Sequence, residues 1–343
     1  MVNFPTVENI LKTDRHTTFY LTCGPDTGPP VIFLHGWPEL SISWRHQLAC
    51  LASLGFRAIA PDMRGYGRSS VYGRHEDYAL ESSVQDMLEL LDGLGYAQAI
   101  WVGHDWGSPV VWSLASHHPE RCLGIANLCV PYLAGGFAPA NLIPLVDRTV
   151  YPADEYPAGQ WDYQLYYAEH FSDASRAFEA NVFNTVKALF RAGRPDGAGK
   201  PARTASIRRA GGWFGAAQQA PDLPIDTDVV SAEELHKYAA ALERTGFFGP
   251  DAWYMNHARN LAYAGRAPRD GKITLPVLFL HGAYDYVCET VRSRLADPMR
   301  QDCSALTEVT VASGHWMAQE QPVAVNVALV KWLATRFPDF WPS

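Results

Sequence analysis

The stretch Ile100-Trp-Val-Gly-His-Asp-Trp-Gly-Ser-Pro-Val-Val-Trp112 decides the fold. Its first part is apolar and rich in strand-forming residues, whereas its last part predicts the first turns of a buried helix. Gly103 and Gly107 flank the junction, as expected for a strand that turns sharply into a helix, because a side chain at either position would clash with the returning backbone. The pattern predicts a nucleophile elbow with Asp105 at its tip, although an aspartate that only caps a helix fits the same local sequence.

The composition is that of a globular protein without an electrostatic preference for nucleic acid. The chain has 343 residues, 48% hydrophobic and 19% charged, enough for one large α/β domain with an insertion or for two ordinary domains. A formal net charge of -8 repels nucleic acid and anionic membranes, so we expect neither as a partner. No apolar stretch approaches the roughly 18 residues that span a bilayer, and the first residues do not resemble a signal peptide. We therefore expect a cytoplasmic protein with no transmembrane segment.

The cysteines and histidines give no sign of a metal site. The six cysteines are scattered, without the close pairs typical of zinc or redox sites. No His-Glu-x-x-His pattern is present either. We expect reduced cysteines in the core, no metal ion and no cofactor.

Strand-like and helix-like segments alternate through most of the chain, which predicts an α/β fold: a mostly parallel sheet with helices on both faces. Helix-like segments include Ser43 to Leu54, Leu80 to Leu94 and Pro322 to Arg336. The predicted strands are Thr17 to Thr22, Val31 to Leu34, Arg57 to Ala60, Ala99 to Val102, Cys122 to Val130, Pro276 to Leu280 and Leu306 to Val311.

The alternation stops for more than a hundred residues in the middle of the chain. This interval has aromatic-rich helical segments at Trp161 to Phe171, Ser175 to Phe190 and Ser231 to Glu243, the last opening with a capping box. Residues Gly193 to Pro224 are rich in Gly, Pro and Arg and predict an irregular loop. We expect a core made of residues 1–130 and 265–343, and an inserted helical cap at residues 131–264.

Polar candidates follow the carboxyl ends of the predicted strands, the edge where open parallel sheets bind ligands. The His35 loop, Asp105, Asp285 and His315 should therefore converge. Nucleophile, acid and histidine in this order are typical of the α/β-hydrolase triad. The Trp37-Pro38 bond in the His35 loop is a candidate cis peptide.

Six segments of the chain closely resemble the soluble epoxide hydrolases, as distinct from the microsomal ones, and the resemblance covers nearly the whole chain. It implies an α/β-hydrolase core with a cap that carries two tyrosines, matched here by Tyr163 and Tyr254. It also implies that the N-terminal phosphatase domain of vertebrate members is missing. The segments are His35-Gly-Trp-Pro-Glu39, Asp62-Met-Arg-Gly-Tyr-Gly-Arg-Ser69, Gly103-His-Asp-Trp-Gly107, Ser313-Gly-His315, Trp161-Asp-Tyr-Gln-Leu-Tyr166 and Thr245-Gly-Phe-Phe-Gly-Pro-Asp-Ala-Trp-Tyr254.

The resemblance implies an epoxide hydrolase that makes vicinal diols. Asp105 would attack a carbon of the epoxide and form an alkyl ester, which water activated by His315 would hydrolyse. Asp285 would orient the imidazole of His315. The cap tyrosines would bind the epoxide oxygen, and one of them would protonate the leaving alkoxide.

The remaining site residues are expected around Asp105. The backbone N–H groups of Trp37 and Trp106 would form the oxyanion hole. We expect a small apolar or aromatic epoxide as substrate, with water as the second reactant. The predicted pocket residues are His35, Trp37, Pro38, Trp106 and Gln164, and further aromatic candidates for its wall are Phe171, Phe190, Trp213 and Phe248.

Three alternatives stay open at this stage. A haloalkane dehalogenase has a similar fold and the same Asp-Trp pair, and tryptophan N–H groups would hold its halide. A fluoroacetate dehalogenase is disfavoured because such enzymes place arginine where Trp106 stands. A non-catalytic ligand receptor is a rival from another class. We expect a supporting role for His104 and a structural one for His281.

Overall fold

A single eight-stranded sheet forms the centre of the molecule in a computed structural model that describes residues 4–341. The ends of the predicted core, residues 1–3 and 342–343, lie outside the described residues. The strands are β1 (Val7–Lys12), β2 (Thr17–Cys23), β3 (Pro30–Leu34), β4 (Arg57–Pro61), β5 (Ala99–His104), β6 (Cys122–Leu128), β7 (Ile273–Gly282) and β8 (Cys303–Val311).

The strand order is β1-β2-β4-β3-β5-β6-β7-β8. Strands β1 and β2 are antiparallel to their neighbours, whereas all pairs from β4 to β8 are parallel. Strands β3 and β5 are completely buried, and apolar apart from His104 at the end of β5, because helices cover both faces of a parallel sheet. This confirms the predicted α/β-hydrolase fold class and puts β5, which leads to Asp105, in the middle of the sheet.

The longer helices lie in the intervals that the sequence predicts, whereas the short helices α4, α8, α9, α10 and α11 were not predicted. Helix α1 packs on β4 and on α12, while α3 packs on β5 and β6. Within residues 4–341, no helix has the length and apolar character required to cross a membrane. The helices are α1 (Arg45–Ser53), α2 (Leu80–Gly93), α3 (Gly107–His117), α4 (Pro139–Leu142), α5 (Asp162–Glu179), α6 (Val182–Leu189), α7 (Ala232–Thr245), α8 (Phe248–Ala252), α9 (His257–Ala264), α10 (Asp297–Asp302), α11 (Met317–Glu320) and α12 (Pro322–Arg336).

Helices α4 to α9 lie between β6 and β7, within the interval proposed for the cap. The predicted break near Phe171 is present as an interruption within α5 at His170, whose φ of -139° and ψ of 41° are not helical. A second break, inside the predicted segment Ser175 to Phe190, was not predicted: the Asn181 side chain accepts a hydrogen bond from the Asn184 N–H and starts α6. The capping box of Ser231 and Glu234 at the start of α7 is confirmed.

Strand β1 was not predicted from the sequence. It pairs only with β2, at the edge of the sheet, and Val7 and Ile10 are 48% and 50% exposed. An edge strand with one neighbour needs no buried apolar face, so its sequence lacks the pattern on which strand prediction depends.

Candidate active site

The sharp turn predicted after β5 is present. Asp105 has φ of 47°, a left-handed conformation that is costly for any residue with a side chain. A Cβ on Gly107 would lie 2.1 Å from the Leu34 carbonyl oxygen, and one on Gly103 would lie 2.7 Å from the Gly107 carbonyl oxygen. The two glycines therefore permit the turn that holds Asp105 between β5 and α3.

Three side chains from three loops meet at this turn. His315, which follows β8, places its Nε2 3.3 Å from Asp105 Oδ2. Its Nδ1 donates a hydrogen bond of 2.7 Å to Oδ2 of Asp285, which follows β7. The other Asp285 oxygen accepts the backbone N–H groups of Val287 and Cys288. These bonds fix the orientation of Asp285, and through it the imidazole.

The two carboxylates control the charge of His315. Burial opposes its protonation, but attraction to Asp285 and hydrogen bonds to Asp105 and Asp285 outweigh burial and raise the His315 pKa well above its usual value. Burial likewise opposes ionisation of Asp285, yet attraction to His315 lowers its pKa. Both carboxylates therefore favour the protonated form of His315.

The loop after β3 provides a donor to the other oxygen of Asp105. The Trp37 backbone N–H lies 2.6 Å from Asp105 Oδ1. The preceding peptide approaches so closely that a Cβ on Gly36 would lie 2.3 Å from that oxygen and 2.5 Å from the Trp106 nitrogen. The Trp37-Pro38 bond is cis, as anticipated. The amides of Trp37 and Trp106 thus flank the place where a side chain at position 36 would project.

Two cap tyrosines cover the turn. Tyr163, on α5, and Tyr254, just after α8, have ring centroids 5.6 Å apart, and both are buried. Gln164 Nε2 donates a hydrogen bond of 3.2 Å to the Tyr163 hydroxyl. Burial, the largest cause, raises the pKa of both hydroxyls. They remain protonated at neutral pH and can donate hydrogen bonds.

A cavity of about 380 Å³ opens onto Asp105, His315 and both cap tyrosines. Its other walls come from the cap and from the loops after β3, β7 and β8. They include Trp37, Leu189, Arg203, Trp213, Val287 and Trp316.

Several predicted pocket residues do not line this cavity. His35 is fully buried, with Nδ1 donating to the Gly36 carbonyl and Nε2 accepting from the Met63 N–H. It supports the loop after β3 from behind. Pro38 and Gln164 also lie off the cavity wall, and Trp106 lines only a small neighbouring space beside Asp105.

Three of the aromatic candidates for the wall also lie elsewhere. Phe190 stacks on Trp316 with centroids 4.5 Å apart. Phe171 and Phe248 pack against each other near His75. The prediction that these three phenylalanines line the pocket is therefore wrong, because each fills a contact between cap and core.

Comparison with known proteins identifies the family of the chain. The sequence profile of the alpha/beta hydrolase fold family matches residues 29–322. The chain is 32% identical to epoxide hydrolase A of Mycobacterium tuberculosis over 331 residues, which make up 95% of this chain and 97% of that protein. The crystal structure of epoxide hydrolase A from Mycobacterium thermoresistibile superimposes with a TM-score of 0.76 at 31% identity, over 96% of this chain and 98% of the other.

The chain belongs to the epoxide hydrolases of the alpha/beta hydrolase fold.

A mammalian relative is longer. Bifunctional epoxide hydrolase 2 of Sus scrofa is 33% identical over 310 residues, which are 90% of this chain and 52% of that protein. The chain thus spans about half the length of the mammalian epoxide hydrolases that it matches.

A buried ion pair lies behind the triad of this epoxide-hydrolase chain. His104 donates from Nδ1 to Glu39 Oε2 at 2.7 Å and from Nε2 to the His315 carbonyl at 2.7 Å. Burial opposes both charges, but mutual attraction raises the His104 pKa to about 10 and lowers the Glu39 pKa to about 2. The supporting role expected for His104 fits these contacts, whereas Glu39 was not singled out as a partner.

The Glu320 carboxylate joins two loops: a cap loop after α6, which contains Gly193, and the histidine loop after β8, which contains Gly314 and His315. Glu320 Oε2 accepts the backbone N–H groups of Gly193 at 3.1 Å and of Gly314 at 2.8 Å. A Cβ on Gly193 would lie 2.4 Å from the Gly314 Cα. The two glycines allow these backbones to touch directly beside His315.

Two groups of potential metal ligands overlap the triad: His104, Cys129 and His315, and Asp285, Cys288 and His315. Both nitrogens of His104 already donate hydrogen bonds, so neither has a lone pair for a metal. Burial raises the pKa of the Cys288 thiol well above its usual value. These groups are better explained as proton-bearing neighbours of the triad. His281 bonds to Thr290 and Glu308, as expected of a structural histidine.

Proposed function

We propose that the chain hydrolyses epoxides to vicinal diols through a covalent ester on Asp105. The observation that carries the proposal is the pair of buried tyrosine hydroxyls that share one cavity with an aspartate at the nucleophile position. A carboxylate nucleophile forms an ester that water can cleave, and a tethered alkoxide requires a proton donor.

In the first step Asp105 Oδ2 attacks a carbon of the epoxide. The carbon–oxygen bond of the ring breaks, and its electron pair remains on the epoxide oxygen. Tyr163 and Tyr254 hydrogen-bond to that oxygen, and one of them transfers its proton to it. The product is a hydroxyalkyl ester that retains every atom of the substrate.

In the second step His315 Nε2 takes a proton from water, which attacks Cγ of Asp105. Negative charge then develops on Oδ1, the oxygen that already faces the Trp37 N–H at 2.6 Å. The Trp106 N–H supplies the second donor of the oxyanion hole, and such donors typically contribute about 3 kcal/mol each. Collapse of this intermediate breaks the bond between Cγ and the ester oxygen. The departing oxygen takes up the proton of the new carboxyl group, so the diol leaves and the carboxylate is restored beside the imidazolium of His315.

Ester formation itself prepares His315 for its role as a base. The imidazolium form of His315 is stabilised in part by Asp105, and esterification removes that negative charge. The His315 pKa therefore falls, and before water attacks the ring can release its proton, which restores the tyrosine that protonated the alkoxide. Asp285 remains charged and stabilises the imidazolium that forms next.

The cavity supports a small apolar or aromatic epoxide as substrate. Its volume of about 380 Å³ lies within the roughly 300–1,000 Å³ that is common for small-molecule sites. The indole of Trp213 and the side chains of Leu189 and Val287 provide apolar walls near the nucleophile.

The orientation of Trp37 argues against the dehalogenase alternative. Its indole Nε1 donates to Asp251 at 2.9 Å and is therefore not available to hold a halide beside Asp105. A halide also leaves as a weak base and needs no proton from the tyrosines. A receptor role would leave the strained turn at Asp105 and its contact with His315 without a purpose.

An assay of one protein preparation with both styrene oxide and a haloalkane distinguishes these functions. We expect diol without released halide; halide release would favour the dehalogenase, and neither product would favour the receptor. His315→Gln should accumulate an adduct heavier by the full mass of the epoxide, detected by intact-protein mass spectrometry. Asp105→Ser should form no such adduct. If the adduct is also missing from His315→Gln, the proposed mechanism is contradicted.

A further inference from the structure

A buried carboxylate outside the triad joins the two halves of the site. Asp251 lies on α8, three residues before Tyr254, and is completely buried. Its Oδ1 accepts hydrogen bonds from Trp37 Nε1 at 2.9 Å and from the Tyr167 hydroxyl at 3.2 Å. Its Oδ2 accepts a hydrogen bond from the Ser175 hydroxyl at 2.8 Å. Neither the triad nor the proposed proton donors account for this group.

Two of the three hydrogen-bond donors to Asp251 contact the reacting groups. The backbone N–H of Trp37 donates to Asp105, while its indole donates to Asp251. The ring of Tyr167 stacks on that of Tyr254, with centroids 4.5 Å apart and planes only 9° from parallel. A change in the position of Asp251 would therefore move the oxyanion donor and the tyrosine that faces the epoxide together.

We propose that Asp251 is a positioning residue, which holds the Trp37 loop and the ring of Tyr254 in one fixed arrangement over Asp105. The inference rests on the epoxide hydrolase function proposed above. It adds a cap residue that acts through Trp37 and Tyr167 without touching the substrate.

The surroundings of Asp251 make this arrangement sensitive to pH. Burial, opposed by the hydrogen bonds from Ser175, Trp37 and Tyr167, raises its pKa to about 7. The ionisable groups that face it are Tyr167 and Glu179 from α5 and Tyr66 from the loop after β4. Among residues 4–341, no lysine, arginine or histidine pairs with it.

The ionised form of Asp251 is the one that holds its partners more firmly. Hydrogen bonds to a charged acceptor are about twice as strong as neutral ones. Trp37 and Tyr167 are therefore held more tightly above neutral pH than below it. The negative charge of Glu179 raises the Asp251 pKa, whereas the three hydrogen bonds lower it, and together these effects help to keep the pKa near neutrality.

Ester formation in a His315→Gln background tests the inference, because the titration of His315 is then removed. Rates of adduct formation with styrene oxide are measured between pH 5.5 and 8.5 by rapid quench and mass spectrometry. We expect the rate to rise through a step near pH 7. Adding Asp251→Asn should remove the step and lower the upper rate roughly 10-fold or more, since small displacements of reacting groups are costly.

Ser175→Ala, in the same background, is the matched control. It removes one donor to the carboxylate but leaves Trp37 and Tyr167 in place, so the Asp251 pKa should rise and the step should move to higher pH. A purely structural aspartate would change the melting temperature without moving this step.

The possible failures of the two proposals can be told apart. An adduct that forms at a rate independent of pH, or a step that survives Asp251→Asn, overturns the role of Asp251 alone. No adduct at any pH, together with no diol from the unsubstituted protein, overturns the proposed function and this inference with it.

Discussion

At the scale of single residues, the site depends on the absence of a side chain at Gly36. The Trp37 and Trp106 amides can flank Asp105 only because no side chain projects between them. A methyl group there would have to displace either the nucleophile or the oxyanion loop, and both are fixed by neighbouring strands.

Gly36→Ala should therefore lower kcat by about 10²-fold or more, the usual effect of losing an oxyanion donor or its alignment. Gly73→Ala is the control, because a Cβ at Gly73 meets no atom within 4 Å. Steady-state kinetics of both variants, with circular dichroism to verify folding, make the comparison. Equal activity of the two variants would mean that the loop can relax around the methyl group.

The tyrosine hydroxyls can be tested in the same way. Tyr163→Phe and Tyr254→Phe should each slow ester formation, and the double variant should lose about 10²–10⁴-fold, the usual contribution of a general acid. Single-turnover rates measure the step directly. Tyr66→Phe is the control, since the Tyr66 hydroxyl is equally buried and makes no hydrogen bond to residues 4–341. A comparable loss in Tyr66→Phe would show that the effect is not specific to the proposed donors.

Residues in sequence motifs could be predicted, whereas residues joined only by tertiary contact could not. Asp105 and His315 follow strands and carry local glycine signals, so spacing and chain order were enough. Asp251 and Trp37 are 214 positions apart, and nothing near Asp251 in the sequence indicates a buried acceptor. His35 was misassigned to the pocket because a histidine after a strand has the same local pattern whether its ring faces the cavity or the loop.

At the scale of elements, the cap helices depend on local caps. The start of α7 is fixed by reciprocal hydrogen bonds between Ser231 and Glu234. These bonds satisfy backbone N–H groups that would otherwise lack partners at the helix start. The same logic sets the start of α6 at Asn181, a signal that the apolar spacing of the segment obscured.

Ser231→Ala should reduce the free energy of unfolding by about 1 kcal/mol, the typical cost of removing an N-cap. Urea denaturation measures the change. Ser82→Ala, inside the first turns of α2, provides the control and should change stability by less than about 0.5 kcal/mol. An unchanged midpoint for Ser231→Ala would mean that tertiary packing alone holds α7 in place.

At the scale of the whole molecule, buried histidines whose pKa values are shifted in opposite directions contribute to the response of stability to pH. The His104 pKa is raised to about 10, so the folded state keeps a proton that the unfolded chain releases. Its contribution is complete below about pH 6.5 and is lost as the pH rises towards 10. Burial lowers the pKa of His16 and His257 to about 4, so their contributions are lost as the pH falls from about 6.5 to 4.

The melting temperature should therefore be highest near pH 6.5 and fall on both sides. His257→Leu should make the acid side less steep and leave the alkaline side unchanged, because neither ring nitrogen of His257 has a partner within residues 4–341. Thermal unfolding followed from pH 4 to 10 provides the measurement. A steeper acid side in the variant would mean that the folded protein stabilises the His257 imidazolium.

The close contact between Gly193 and Gly314 has a consequence for how such chains change over generations. One glycine belongs to the cap and the other to the histidine loop, and each occupies the space that a side chain on the other would need. A larger residue at either position requires a compensating shift of the other backbone, which belongs to a distant part of the sequence. A chimaeric protein that joins this cap to another core should therefore make the same contact only if both positions remain glycine.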